Sequence, residues 1–268
     1  MLKSRPKPKV ARLPPGRVVI VSPHIDDAVF SLATTIARAV QSGTHVDVLT
    51  VFGLDPTSTA PANGWDKRGG FATEGDAARG RRNEDRVACD VVGATASWLT
   101  FRGGGYTKER STEAVLAAVR KEVDGADAVV VPGFPLTNPD HAWLAELLTT
   151  RPLRCGRLGL YAEQPYRYMA RNEKVGVSSP EVERTSERRA EWVFSRPGIT
   201  GYRLKRRAIA AYASQLALLG YSRKPWGVDR ILLDEAWRGG EALAWLSPRA
   251  VPGDAKSPGA NGVSRSRL

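Results

Sequence analysis

The sequence predicts an α/β protein, Rossmann-like, with a mostly parallel sheet and helices on both faces. Three observations predict it. Strand-length apolar runs alternate with helix-length amphipathic stretches from residue 17 to residue 163. The first run, Val18–Val21, is continuously apolar, as in a strand buried on both faces. The polar residues capable of chemistry stand directly after predicted strands, where open α/β sheets bind their ligands.

Residues 17–22 read as the first strand. Residues 27–41 follow as a helix, with Val, Phe, Leu and Ile at helical spacing and Gly43 just beyond its end. Residues 44–52 ("THVDVLTVF") alternate polar and apolar, as a second strand should. Residues 53–75 form a long Gly- and Pro-rich loop containing Trp65 and Phe71, and loops of that length are characteristically lids or binding loops. A helix ending near Gly93, a strand at 97–101, a helix at 111–123 and a strand at 126–132 come next. Another helix begins near His141, and 156–163 is a fifth strand. Beyond Glu163 the pattern weakens: 171–191 reads as a charged hairpin or loop, and 202–220 as one amphipathic helix. The expected strand order is 3-2-1-4-5, which makes strands one and four neighbours and brings their exit loops together.

The net charge of +12 is concentrated at the ends. Residues 1–17 hold six Lys/Arg and no acid, and 248–268 hold four against one acid, leaving +3 on the body. The expected organisation is a disordered basic tail at 1–16, a single domain at 17–247 and a disordered tail at 248–268. A basic face on an ordered element is lacking, so no specific nucleic-acid partner is expected. No run of 18 apolar residues suggests a membrane span, and the N-terminal segment has no apolar signal core, so a cytoplasmic location is expected. Cys89 and Cys155 read as reduced thiols, and His45 as a strand residue without a site role.

The two remaining histidines fall in the converging loops. His24 and Asp27 lie three residues apart after strand one, and His141 follows strand four. Two imidazoles and a carboxylate suit a catalytic zinc with an open position, although Fe2+ or another divalent ion suits the same donors. Asp26 is then placed to take a proton from water, and Asp140 to orient a ligand. Taken singly, Asp26–Asp27 is equally a helix N-terminal pair and His141 a helix-start histidine. It is their convergence that argues for a metal.

"SPHIDDAVFS", "RRNEDRVACDVVGA", "NPDHAW" and "AIAAYASQ" together, in this order, resemble the PIG-L/LmbE-like N-acetylglucosaminyl deacetylases across residues 17–220. The resemblance implies a zinc hydrolase that removes an N-acyl group from a glucosamine-type sugar. It implies that His24, Asp27 and His141 hold the metal, that Asp26 is the general base and that Arg81 contacts substrate, with Glu84 structural. Two motifs depart from the family pattern. Ile25 and Ala28 replace a Pro and a Glu, neither of them a ligand. Asn138 replaces the first His of an HPDH motif, and an Asn there can donate an amide N–H to an oxyanion but cannot act as an acid. Trp65, Phe71, Tyr166 and Tyr168 are candidates to stack on a small-molecule sugar or glycoconjugate, possession of a natural-product aglycone included. The competing functions are a zinc amidase for a non-sugar N-acyl substrate and a non-catalytic carbohydrate- or nucleotide-binding protein on the same fold.

Overall fold

The computed structural model describes residues 11–170, 179–221 and 227–248. In chain order these form β1 (Arg17–Ser22), α1 (Asp27–Gln41), β2 (His45–Thr50), α2 (Gly64–Arg68), α3 (Glu74–Val92) and β3 (Thr95–Trp98). Next come α4 (Thr112–Val123), β4 (Ala126–Phe134), α5 (Pro139–Thr150), β5 (Cys155–Ala162), α6 (Tyr166–Met169) and α7 (Pro180–Ser186). The chain continues through β6 (Ala190–Ser195), α8 (Ile199–Ala210), α9 (Ala213–Leu218), α10 (Gly227–Trp237) and β7 (Glu241–Leu246).

One sheet of seven strands, in the order β3-β2-β1-β4-β5-β7-β6, organises them. Its first five strands are parallel, in the expected order, and β7 and β6 extend it antiparallel. The alternation of a strand sends Val18 and Ile20 of β1 into the core beneath α1, α3 and α8, and Val19 and Val21 into the core beneath α4 and α5. Both faces of the central strands are therefore dry. Polar chemistry is left to their carboxyl ends, where the chain reverses direction across the sheet between β1 and β4.

Several expected boundaries move. The third strand is Thr95–Trp98 instead of 97–101, because its pairing with β2 ends at Thr50–Trp98, and Leu99 and Phe101 turn into the core under α4. The loop 53–75 contains α2, a single short helix capped by Asn63, whose Oδ1 accepts from Asp66 N at 2.8 Å. The fifth helix starts at Pro139, ahead of His141. The late helix expected at 202–220 is two helices. Tyr212 between them is fully buried with its hydroxyl on Asp85 at 2.6 Å, and Glu84 accepts from Ser214 N at 2.8 Å to cap α9. The charged stretch 171–191 is not a hairpin in its described part, which forms α7 and opens β6; residues 171–178 lie outside the described residues. The expected tail at 1–16 is ordered at its inner end, because Ala11 and Leu13 are apolar and bury themselves on the α1 side of the sheet. Residues 1–10 and 249–268 lie outside the described residues.

An ion cluster locks α1 in place. The helix breaks at Leu32 (φ −130°, ψ 15°). Glu241 accepts from the N–H groups of Thr34 and Thr35 at 2.9 and 2.7 Å, serving as a cap from another strand. Lys205 sits against Glu241 at 3.0 Å and Glu235 at 2.8 Å and donates to the carbonyl of Ser31 at 3.3 Å, with all three ionic side chains buried. Burial, with the neighbouring Glu241 adding to it, pushes Glu235 up to about 7 against the pull of Lys205. Removing the cation leaves two carboxylates buried together. Lys205→Met is expected to cost about 3–5 kcal/mol near pH 8, with the deficit shrinking toward pH 5.5 as the carboxylates take up protons. Urea unfolding of both proteins at the two pH values measures this.

Candidate active site

The turn after β1 is built by its own side chains. Ser22 Oγ donates to the carbonyl of His24 at 2.7 Å and accepts from Ala28 N at 3.0 Å, while Asp27 Oδ2 accepts from His24 N at 2.8 Å. Asp26 sits at φ +147°, a conformation that L residues adopt at a cost, and its side chain does not cap α1. After β4, Asn138 caps α5, with its Oδ1 accepting from Asp140 N at 2.9 Å and Pro139 in the first turn. His141, one residue further on, is fully buried.

The two turns meet as the sequence predicts. His24 Nδ1, Asp27 Oδ2 and His141 Nε2 form a triangle with sides of 3.4, 3.3 and 3.0 Å. The far nitrogen of each imidazole is held by a carboxylate, His24 Nε2 by Asp140 at 2.9 Å and His141 Nδ1 by Glu163. Those partners favour protonated far nitrogens, so the near nitrogens are the atoms left to hold a metal once they carry no proton. Burial opposes protonation of His24, yet Asp140 and Asp27 outweigh it and hold its pKa up at about 9. Burial likewise opposes His141, whose pKa is nevertheless raised by Asp27 and Glu163. Asp27 is lowered, because the two imidazoles outweigh its burial. The carboxylates around the two imidazoles favour positive charge there. The triangle's edges are those subtended by donors about 2.0–2.1 Å from one ion, so the residues present fit a divalent metal.

Asp26 lines the same cleft, which has a volume of about 510 Å3. Burial, reinforced by Asp27, pushes its pKa up to about 8, while Arg81 and His24 pull the other way. Arg81 also lines the cleft, but its guanidinium is partly engaged, with Nη1 on Asp66 at 3.2 Å and Nη2 on the carbonyl of Ile25 at 3.4 Å. Asp66 accepts in addition from Tyr106 at 2.7 Å. Trp65 faces the cleft with its Nε1 fixed on Gln215 Oε1 at 2.9 Å. Tyr166 and Asn138 line it too, joined by an Asn138 Nδ2 to Tyr166 Oη hydrogen bond of 3.3 Å.

Phe71 and Tyr168 do not line this cleft. Phe71 packs beside Leu54, Ala77 and Ala78, against Gly80, where a Cβ would stand 2.4 Å from its ring. Glu84 caps α9, in agreement with a structural role. His45 is exposed beside Asp47, at the opposite end of β2 from the cluster.

Sequence reasoning passed over Asp66, Tyr106 and Arg110, and it gave no role of its own to Glu163, or to Gln215 beyond the latter's place at the end of the AIAAYASQ motif. Glu163 had a signal: like Asp26 and Asp27, it is a carboxylate at the exit of a buried strand. Arg110 is held over the rings of Phe52 and Trp143 and donates to Asp140. Gly104 N donates to the same carboxylate at 2.9 Å, and burial notwithstanding, His24 and these donors hold Asp140 down at about 2. This close approach requires glycine at 103, where a Cβ would stand 2.6 Å from Asp140 Oδ2.

Comparison with known proteins agrees with this geometry. Residues 19–151 match the PIG-L family, described as GlcNAc-PI de-N-acetylase. No functionally curated protein matches the sequence. Among solved structures, the chain is 26% identical to the A40926 pseudoaglycone deacetylase Dbv21, with a TM-score of 0.63 over 88% of this chain and 98% of that one. It is 25% identical to a triple mutant of a deacetylase of the teicoplanin biosynthetic pathway, with a TM-score of 0.67 over 89% and 100% of the two chains. The zinc-inhibited form of the teicoplanin deacetylase Orf2, 22% identical with a TM-score of 0.67 over 89% and 100%, shares the fold.

If Glu163 sets the tautomer of His141, Glu163→Gln weakens divalent-metal binding by about 10- to 100-fold. Competition with a chromophoric chelator measures the affinity, and circular dichroism checks that the fold is kept. Unchanged affinity would show that His141 needs no such support.

Proposed function

We propose, for this chain of the PIG-L family of deacetylases, a hydrolase that removes an N-acetyl or other N-acyl group from an amino sugar in a glycoconjugate or natural-product intermediate. The observation that carries this reading is the triangle of His24, Asp27 and buried His141, with His24, Asp27 and Asp26 lining one cleft. We assign Zn2+ to the triangle, with Fe2+ compatible with the same donors. When bound, such an ion supplies Lewis-acid polarisation of a carbonyl and a lowered pKa for water.

The chain's own residues account for the remaining chemistry. Asp26 takes a proton from water as the water oxygen bonds to the acyl carbon. The C–N bond then breaks, and Asp26 returns the proton to the departing nitrogen, leaving a free amino sugar and a carboxylic acid. One carboxyl lining the cleft beside the metal donors can carry out both transfers in turn. Asp140 orients His24, and Glu163 orients His141. Asn138 keeps one N–H for the oxygen that gains charge, since its other donates to Tyr166. Trp65, pinned by Gln215, offers an apolar ring to a sugar face, and Arg81 and Tyr166 complete the substrate wall. Two solved structures at least 25% identical to the chain are the A40926 pseudoaglycone deacetylase and a deacetylase of the teicoplanin biosynthetic pathway, which puts glycopeptide sugar conjugates among the substrates to try.

The test is acetate release from a panel of N-acetylglucosamine conjugates and simple N-acyl amines, with chelator and after zinc is restored. Release is expected from the sugar conjugates, lost with chelator and recovered with zinc. Asp26→Asn is expected to reduce it about 10²- to 10⁴-fold with bound metal unchanged. Release from the simple amines alone would favour the amidase, and bound sugar without release would favour a binding protein. Failure to bind metal at all would remove the basis for the whole reading.

A further inference from the structure

The expected place of Tyr166 is as a stacking surface, but its hydroxyl is better placed than its ring. Tyr166 opens α6 directly after β5, and its ring meets that of buried His141 edge-on, with centroids 5.0 Å apart and planes at 75°. Its backbone carbonyl accepts from Ala170 N at 2.9 Å. The next residue, Arg167, is buried and donates to the carbonyls of Gly240 at 2.8 Å and Arg238 at 2.9 Å, fastening this turn to the end of α10. The tyrosine is thus held at the wall of the cleft by contacts that need nothing from a ligand.

Asn138 decides which way the hydroxyl serves. Its Oδ1 is committed as the N-cap acceptor for Asp140 N, so its Nδ2 must be the atom that faces Tyr166. The 3.3 Å bond therefore runs from the amide to the phenol oxygen. An oxygen that accepts this bond has its own proton available, and among the described residues none accepts it. Burial pushes the phenol's pKa up from its ordinary value, so the proton stays on Tyr166 at neutral pH. A fixed O–H donor and the second N–H of Asn138 thus share one wall of the cleft, beside His141.

We propose that Tyr166 is a catalytic residue: its hydroxyl donates a hydrogen bond to the carbonyl oxygen of the substrate's N-acyl group as that oxygen becomes negative, with Asn138 holding the phenol oxygen in place. The proposal rests on the hydrolase reading above. The proton stays on Tyr166 throughout, so water, Asp26 and the departing amine keep the proton balance already described. A donor placed for developing charge stabilises the transition state more than the neutral ground state, so its loss acts on kcat more than on KM.

The experiment compares the unsubstituted enzyme with Tyr166→Phe, Asn138→Ala and the double variant, on the N-acetylglucosamine conjugate that the unsubstituted enzyme turns over fastest. Tyr166→Phe is expected to lower kcat about 10²-fold, with KM within threefold and bound metal unchanged. Asn138→Ala should cost less once Tyr166 is already Phe, because part of its effect passes through the phenol. Replacing Tyr166 by 3-fluorotyrosine keeps the ring's packing but strengthens the donor, and kcat should then move away from the unsubstituted value while Tyr166→Phe remains slow. A Tyr166→Phe enzyme with unsubstituted kcat overturns the tyrosine's role and leaves the hydrolase intact. Additive losses in the double variant overturn the role given to Asn138. Absence of chelator-sensitive acetate release from the unsubstituted enzyme overturns the hydrolase and the tyrosine's role together.

Discussion

Two imidazole nitrogens turned toward each other, 3.0 Å apart, need a positive charge between or beside them, a proton or a metal ion, and the site is arranged around that constraint. Asp27 supplies the third donor, and Asp140 and Glu163 fix the orientation of the rings from behind. Carboxylates crowded into a buried space are costly unless matched by cations. Arg110 answers Asp140, and Arg81 answers Asp66 and stands near enough to Asp26 to oppose its upward shift. Asp27 is held ionised by the two imidazoles, with no lysine or arginine in ion-pair contact with it among the described residues. That residual charge is what a divalent ion would meet.

The fold delivers this arrangement because the strand order reverses at β1 and β4. Five loops contributing to the site leave the carboxyl ends of parallel strands: His24 to Asp27 from β1, Phe52 and Leu54 from β2, Gly103 to Arg110 from β3, Asn138 to His141 from β4, and Glu163 to Tyr166 from β5. The roof over the cleft is fastened differently from the floor. Its short helix α2 is held by polar bonds, Asp66 to Arg81 and Tyr106 and Trp65 to Gln215. The floor is instead locked into the apolar core through α1, whose interruption at Leu32 is satisfied by Glu241 and Lys205. Ser31, at that interruption, also accepts from Gln164 N at 3.0 Å, which couples α1 to the loop after β5.

What could be read from the sequence was what a local pattern encodes. The parallel core, the 3-2-1-4-5 order and the convergence of His24, Asp27 and His141 follow from apolar runs and from residues at strand exits. The added strands β7 and β6 did not, because their pairing is set by contacts distant in sequence, such as Gly159 with Trp245. The break at Tyr212 was hidden by continuous helical periodicity. It depends on Asp85 and Glu84, more than a hundred residues earlier. Asp66 and Arg110 were illegible for a related reason: in sequence each is a charged loop residue, and only the tertiary structure sets Asp66 against Arg81 and Arg110 over two aromatic rings.

Asn138 shows how a requirement of the fold and a requirement of the site select the same residue. A helix start wants a side-chain oxygen, and Ser, Thr, Asp or Asn all provide one. The wall beside His141 needs, in addition, a donor aimed at the tyrosine. Ionised Asp has no proton to give, and the single oxygen of Ser or Thr would have to face the backbone N–H and the phenol from one atom. Only Asn carries an acceptor and a donor on separate atoms of one planar group, so that capping α5 fixes the direction of the N–H. The cap that starts the helix is therefore also the element that orients the phenol, and neither role can be changed without disturbing the other.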